Sequence, residues 1–248
     1  MNLVVAFLRR CSMKSLISLG ILIANVIPAT AADMSAASPD SGRSTTAPLL
    51  WSGPYLGIDA GYGWGSTSHS FSAAPSGLTP PTGTSELKGA LGGVYGGYDF
   101  QNGRFVTGIE GDIDAAGLRG AYSNPSGITS TGSSSLDWDA SLRARFGATF
   151  GPALPYITGG VAFGGYEFSG GPLPAGGPCC GGYSAILTGW TVGGGWDYAL
   201  TRHLVGRIEY RYTDYGKVGR GIPPPFPSVN MTTNNTTSAV RVGLSYKY

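Results

Sequence analysis

Charged side chains recur at every second position in several stretches of this chain: Glu110, Asp112 and Asp114; Asp137 and Asp139, followed by Arg143 and Arg145; Arg207, Glu209 and Arg211; and Arg241 near the end. Paired carboxylates could serve as the acid and base of a glycosidase, and rings of charge can line an ion path. Acids set against guanidiniums can also simply neutralise one another. Nothing nearby marks a sugar cleft. The other reactive groups are sparse. His69 falls in a long link and His203 in a short turn, too far apart by topology to share a nucleophile. Two histidines without a Cys/His cluster give no metal-site pattern, and no G-x-G-x-x-G or P-loop sequence offers a nucleotide cradle. No catalytic residue, cofactor or metal is therefore assigned. Cys179 and Cys180 are adjacent within a Gly-Pro-rich link, where bland thiols and a vicinal or intermolecular bond all remain open. The Asn-x-Thr sequons at Asn230 and Asn234 lie in Asn/Thr-rich sequence that produces them by chance.

What positions the charges is a period of two. Leu136, Trp138, Ala140, Leu142, Ala144, Phe146 and Ala148 alternate with Asp137, Asp139, Ser141, Arg143, Arg145, Gly147 and Thr149. One face of such a strand is apolar and the other polar. The alternation returns in Leu204 to Tyr212, and again where Val240, Val242, Leu244, Tyr246 and Tyr248 interleave with Arg241, Gly243, Ser245 and Lys247. Segments near 54–65, 89–100, 104–116, 156–168 and 185–198 bring the expected strands to eight. Each has the roughly 9–11 residues that a tilted membrane strand needs. Short turns at 101–104, 151–154 and 199–203 alternate with long polar links near 66–88, 117–134, 169–184 and 217–236. The expectation is an all-β fold: an eight-stranded antiparallel up-and-down transmembrane barrel with long extracellular loops and short periplasmic turns.

Composition selects the membrane class of barrel over the soluble one. Only 12% of the 248 residues are charged, about half of the roughly 25% usual in soluble proteins. The chain holds 42 glycines, and several, such as Gly57, Gly61, Gly93 and Gly97, fall on the polar face, which suits a narrow filled interior. The net charge of +2, with no run of Lys or Arg, is too small to suggest a nucleic-acid partner, and none is expected. Aromatics gather at strand ends: Tyr98, Phe100, Phe146, Trp196 and Tyr198 toward the short-turn rim, and Tyr62, Trp64, Trp138, Tyr210 and Tyr212 toward the other. Two such girdles fit membrane interfaces, where a ring has one apolar side and one that meets water. An eight-stranded barrel is just wide enough for its side chains to fill it, so the charges are expected to plug the lumen, with a narrow pore as the alternative and a barrel enzyme acting on lipid less favoured.

Ahead of the barrel, Lys14, the apolar run Leu16 to Ile27 and Ala29-Thr30-Ala31 read as a cleaved secretory signal within residues 1–31, with Met1 and Met13 both open as starts. Residues 32–50, rich in Ala, Ser, Thr and Pro, are expected to be a flexible periplasmic tail, and the barrel domain to occupy 51–248.

Several motifs resemble the porin-like outer-membrane immunogenic proteins, small eight-stranded barrels of alphaproteobacteria. They are Trp51-Ser52-Gly53-Pro54-Tyr55-Leu56-Gly57, Gly96-Gly97-Tyr98, Gly108-Ile109-Glu110-Gly111-Asp112, Tyr156 to Ala162, Gly189 to Gly195 and the closing Val240 to Tyr248. The resemblance covers nearly all of 51–248. It implies a Gram-negative outer-membrane location, a role in envelope integrity and frequent antigenicity; some relatives are described as haem-binding. The expected partners are outer-membrane lipids and lipopolysaccharide, and host or small ligands at the loops. The barrel insertion machinery is a further expected partner, addressed by the terminal Val242, Leu244, Tyr246 and Tyr248. The Cys179-Cys180 link and the long N-terminal lead depart from the family pattern.

Overall fold

The structure, a computed structural model, describes residues 51–71, 83–123, 132–170, 183–221 and 230–248. Alternating sequence forms strands throughout: β1 (Gly53–Phe71), β2 (Gly83–Asn102), β3 (Phe105–Ser123), β4 (Gly132–Ala148), β5 (Ala153–Gly170), β6 (Tyr183–Ala199), β7 (Leu204–Gly221) and β8 (Asn230–Lys247). Each pairs antiparallel with the next, and β1 closes on β8 in a register that sets Ile58 against Leu244 and Tyr62 against Val240. Closure leaves no strand edge unpaired, the condition for a sheet to cross lipid. The three tight turns lie at one end of the barrel with Trp51 and Tyr248. Gly103 and Gly151 sit at two of these turns with φ of 58° and 61°, a backbone conformation that costs glycine little.

The outer wall is apolar. Ile58, Ile157 and Ile186 expose 64%, 65% and 68% of their surface, in a belt that continues through Leu56, Ile109, Leu142, Val242 and Leu244. In water a belt of this extent would be an aggregation surface; in a bilayer it is the solvated face.

Two features depart from the expectation. The strands run for 17 to 20 residues, well past the membrane-spanning segments, so much of the sequence assigned to long links is strand. His69, for instance, pairs with Gly83 and Thr233 within β1 rather than lying in a link, and Asn230 and Asn234 belong to β8. Beyond the apolar belt the outer face turns polar, with Ser68, Thr84, Lys88, Arg119 and Ser133 exposed, so hydrophobic alternation fades while backbone pairing continues. The cysteine pair, the remaining link residues, the signal and the tail lie outside the described residues.

The second departure is in β4. The register against β5 slips between Leu136 and Trp138, and Asp137 is the extra residue of a β-bulge. One added residue inverts the facing of everything before it. Leu136, expected to face lipid, is buried inside the barrel, and Asp137, expected in the lumen, is exposed on the outer wall. Trp138 still faces outward, half-buried across Gly165.

Candidate functional site

The lumen is filled in layers. Nearest the short turns, Trp51, Val106, Leu154 and Val205 form a buried apolar cluster against Ala199. Trp51 is tethered by its backbone N–H, which donates to Gln101 Oε1 at 3.1 Å. At the far side of the charged zone a larger cluster joins Leu87, Leu91, Leu118, Leu136, Tyr166, Phe168, Leu187 and Tyr215. Inward-facing apolar residues of this kind escape a reading that assigns every apolar residue to lipid.

Between the two clusters run the ion pairs. Lys247 meets Asp99 at 3.0 Å. Asp197 takes Arg145 at 2.5 Å and Arg207 at 2.9 Å. Arg207 also reaches Glu110 at 2.6 Å. Arg143, from the neighbouring strand, joins Glu110 at 2.5 Å, Glu209 at 2.8 Å and Asp112 at 3.1 Å. Arg211 bridges Asp112 at 2.7 Å and Glu209 at 2.9 Å. Farther from the turns, Arg241 bonds Asp114, Asp139 at 3.0 Å and Asp59 at 3.4 Å. The pairs cross the lumen as well as following the wall: Arg143 on β4 meets Glu209 on β7, and Arg207 on β7 meets Glu110 on β3.

Aromatic rings complete the packing. Tyr55 donates to Glu110 Oε2 at 2.7 Å and Tyr156 to Glu209 Oε2 at 2.8 Å. The Arg207 guanidinium lies 4.2 Å from the Tyr95 ring centroid, and Arg145 lies 4.0 Å from that of Tyr156. Cation–π contact adds to the ion pairs here because neither group can turn to water. The inward glycines make room for these rings. A Cβ on Gly57 would fall 2.5 Å from Tyr95 Cζ, and one on Gly97 would fall 2.7 Å from the Tyr55 hydroxyl.

The structure thus brings together Glu110, Asp112, Asp114, Asp139, Arg143, Arg145, Arg207, Glu209, Arg211 and Arg241, and leaves Asp137 outside. Sequence reasoning missed Asp59, Asp99, Asp197, Lys247 and the inward tyrosines Tyr55, Tyr95 and Tyr156. The period of two could have found them, since Asp197 sits between outward Trp196 and Tyr198, and Asp59 between Ile58 and Ala60.

Among the described residues, Asp112, Asp114 and Asp139 offer oxygens within 4.8 Å of one another, a spacing that would suit a metal ion. Arg211 and Arg241 already reach these carboxylates and supply the compensating charge. The space left beside Arg211, Arg241 and Leu118 is about 10 Å³, no more than one water requires. His203 is engaged at its turn, Nδ1 lying 2.9 Å from the Lys247 carbonyl oxygen and the ring stacked on Tyr246.

Outside, the aromatics fall into two sets. Near the short turns, Tyr98 packs on Phe100, Phe105 on Phe146 and Tyr246 on Tyr248, with Trp196 and Tyr198 exposed beside them. At the other level Trp64 packs on Tyr210 and Trp190 on Tyr212, beside exposed Tyr62. Val242, Leu244, Tyr246 and Tyr248 all face outward along β8.

The chain is similar to known outer-membrane proteins. A family profile described as "Outer membrane protein beta-barrel domain" matches residues 29–248. The chain is 30% identical over 244 residues to a 25 kDa outer-membrane immunogenic protein of Brucella abortus, covering 95% of this chain and 100% of that one. It is 33% identical over 257 residues to a 31 kDa outer-membrane immunogenic protein of Brucella melitensis, with the same coverage, 95% and 100%. Among solved structures, the outer membrane protein OprG from Pseudomonas aeruginosa superposes with a TM-score of 0.52 at 14% identity, over 79% of this chain and 97% of that one, a likeness of fold alone.

Proposed function

Because this chain belongs to the outer-membrane β-barrel family and resides in the outer membrane, we propose that it is a structural, surface-exposed barrel that supports envelope integrity and is closed to solutes. The observation that carries this reading is the lumen: a network of buried ion pairs running from Asp99 to Arg241, closed by the Trp51 cluster below and the Leu87 cluster above. An eight-stranded barrel has room for its own side chains and little else. The aromatic sets act as interfacial anchors, with the short-turn end toward the periplasm. The outward Val242, Leu244, Tyr246 and Tyr248 serve as the signal that the insertion machinery reads. The loops carry whatever ligand or host-factor contacts the protein makes. The reading is non-catalytic; it is supported by relatives named as immunogenic outer-membrane proteins and by a buried carboxylate set whose members are each held by a cation.

Conductance tests it. Purified protein in a planar bilayer is expected to give no steady current. Large, ion-selective currents whose selectivity changes on substitution of Arg241 or Asp139 would make the charges pore-lining groups and replace the structural reading with a porin.

A further inference from the structure

One stretch of the outer wall does not suit hydrocarbon. Following cross-strand partners, Arg119 on β3 stands opposite Lys88 on β2, Lys88 opposite Trp64 on β1, and Trp64 opposite Ser238 on β8. Arg119, Lys88 and Trp64 are exposed on the outer face. Like charges directly opposite on one sheet face repel and weaken the pairing unless something lies between them. Glu86 relieves Lys88 in part, at 3.0 Å, but both side chains of that pair are more than half exposed, at 59% and 74%. Among the described residues no carboxylate lies within ion-pair distance of Arg119. The group as a whole keeps one excess positive charge.

Beside it lies a groove of about 390 Å³ on the wall of β8, β1 and β2, lined by Trp64, Ser66, Glu86, Lys88, Thr236 and Ser238. Its chemistry is mixed in a particular way: an indole face, a file of hydroxyls and a cation at the margin. Ser66 and Thr236 hydroxyls lie 3.4 Å apart, and Ser238 accepts from Tyr210 at 3.1 Å, so the hydroxyls stand in an ordered row. The groove adjoins Trp64 and Tyr210 of the long-link aromatic set, at the level of lipid headgroups rather than of tails. The opposite wall is different: a groove there carries exposed Asp137 and Glu167 with no cation among its lining residues.

We propose that the Trp64–Lys88–Arg119 face is a binding site for the phosphorylated saccharide headgroup of an outer-leaflet glycolipid of the lipid A type. The headgroup phosphate sits between Lys88 and Arg119, relieving their repulsion, with the planar guanidinium as the geometrically selective partner. A sugar ring lies against the Trp64 indole, and its hydroxyls meet Ser66, Thr236 and Ser238. Glu86 holds Lys88 at the groove margin and yields it to the stronger anion. The proposal rests on the outer-membrane reading above for the choice of leaflet, but binding itself is independent of whether the lumen conducts.

The test is a titration of the full chain in detergent micelles with diphosphorylated lipid A, bound lipid being counted by native mass spectrometry. Wild-type protein is expected to retain the lipid, and K88A/R119A to bind it about tenfold or more weakly. A matched D137N/E167Q variant should bind like wild type, and E86Q at least as tightly. Chemically dephosphorylated lipid A should bind the wild type as poorly as the phosphorylated form binds K88A/R119A. Equal retention by K88A/R119A would overturn the site, as would equal retention of the dephosphorylated lipid. Equal retention of phosphatidylglycerol would overturn the choice of a glycolipid. Because the variants lie outside the lumen, loss of lipid binding with silent bilayers would leave the structural reading standing, and intact binding with large currents would remove that reading alone.

Discussion

Arg143 meets three carboxylates and its side chain is fully enclosed. Its removal strands Glu110, Asp112 and Glu209 with one cation fewer, and an uncompensated buried charge is far costlier than the loss of a surface pair. Arg143→Ala is expected to lower stability by about 3–5 kcal/mol, read as a shift in the urea midpoint of the protein in lipid vesicles. Adding Glu110→Gln should cost less than the sum of the two single changes, because each removes a charge the other no longer needs. Strict additivity would indicate that water reaches these groups. The same reasoning separates Arg143 from Lys88, whose exposed pairing with Glu86 contributes little to stability.

At the scale of the element, the bulge in β4 deserves a test because it decides what two side chains do. Leu136→Ala should cost about 2–5 kcal/mol, as for a buried leucine, whereas truncating a lipid-facing residue such as Leu142 should cost much less. Deleting Asp137 should straighten the register against β5 while leaving Leu136, then directly before outward Trp138, on the inward side, so the temperature of the gel-mobility change of the folded barrel should fall less than for Leu136→Ala. The same element shows how far the sequence was legible. From Trp138 to Ala148 the alternation is unbroken and places every charge correctly. Ahead of it, Leu136 and Asp137 continue the pattern in the letters but not in space, since a bulge adds a residue without changing residue type. The lipid face was readable because hydrocarbon tolerates only apolar groups. The lumen was harder to read, because an interior holds leucine, tyrosine and arginine alike provided each finds a partner: Leu118, Tyr95 and Arg207 face the same way.

For the whole molecule, orientation and insertion are the checkable properties. Protease added to intact cells is expected to cut within 72–82, 124–131, 171–182 or 222–229, and to spare the Gly103-Arg104 turn. Cleavage at that turn in sealed cells would reverse the topology. Deleting Tyr248, the outward residue that directly follows β8, should reduce the amount of protein in the outer membrane and raise its periplasmic degradation; unchanged levels would remove the C-terminus as an insertion signal. The span of the lumen pairs has a consequence for how the chain reaches this state. Arg207 and Glu110 are 97 positions apart, Arg241 and Asp114 are 127 apart, and Lys247 and Asp99 are 148 apart. Acids supplied early in synthesis wait for cations that arrive at the end, and contacts so distant in sequence form slowly. A chain that stops before β8 is therefore not a smaller barrel. It is an open sheet carrying Asp59, Asp99 and Asp114 without Arg241 and Lys247, so the last strand to emerge works as a clasp, and the fold is committed only when it closes.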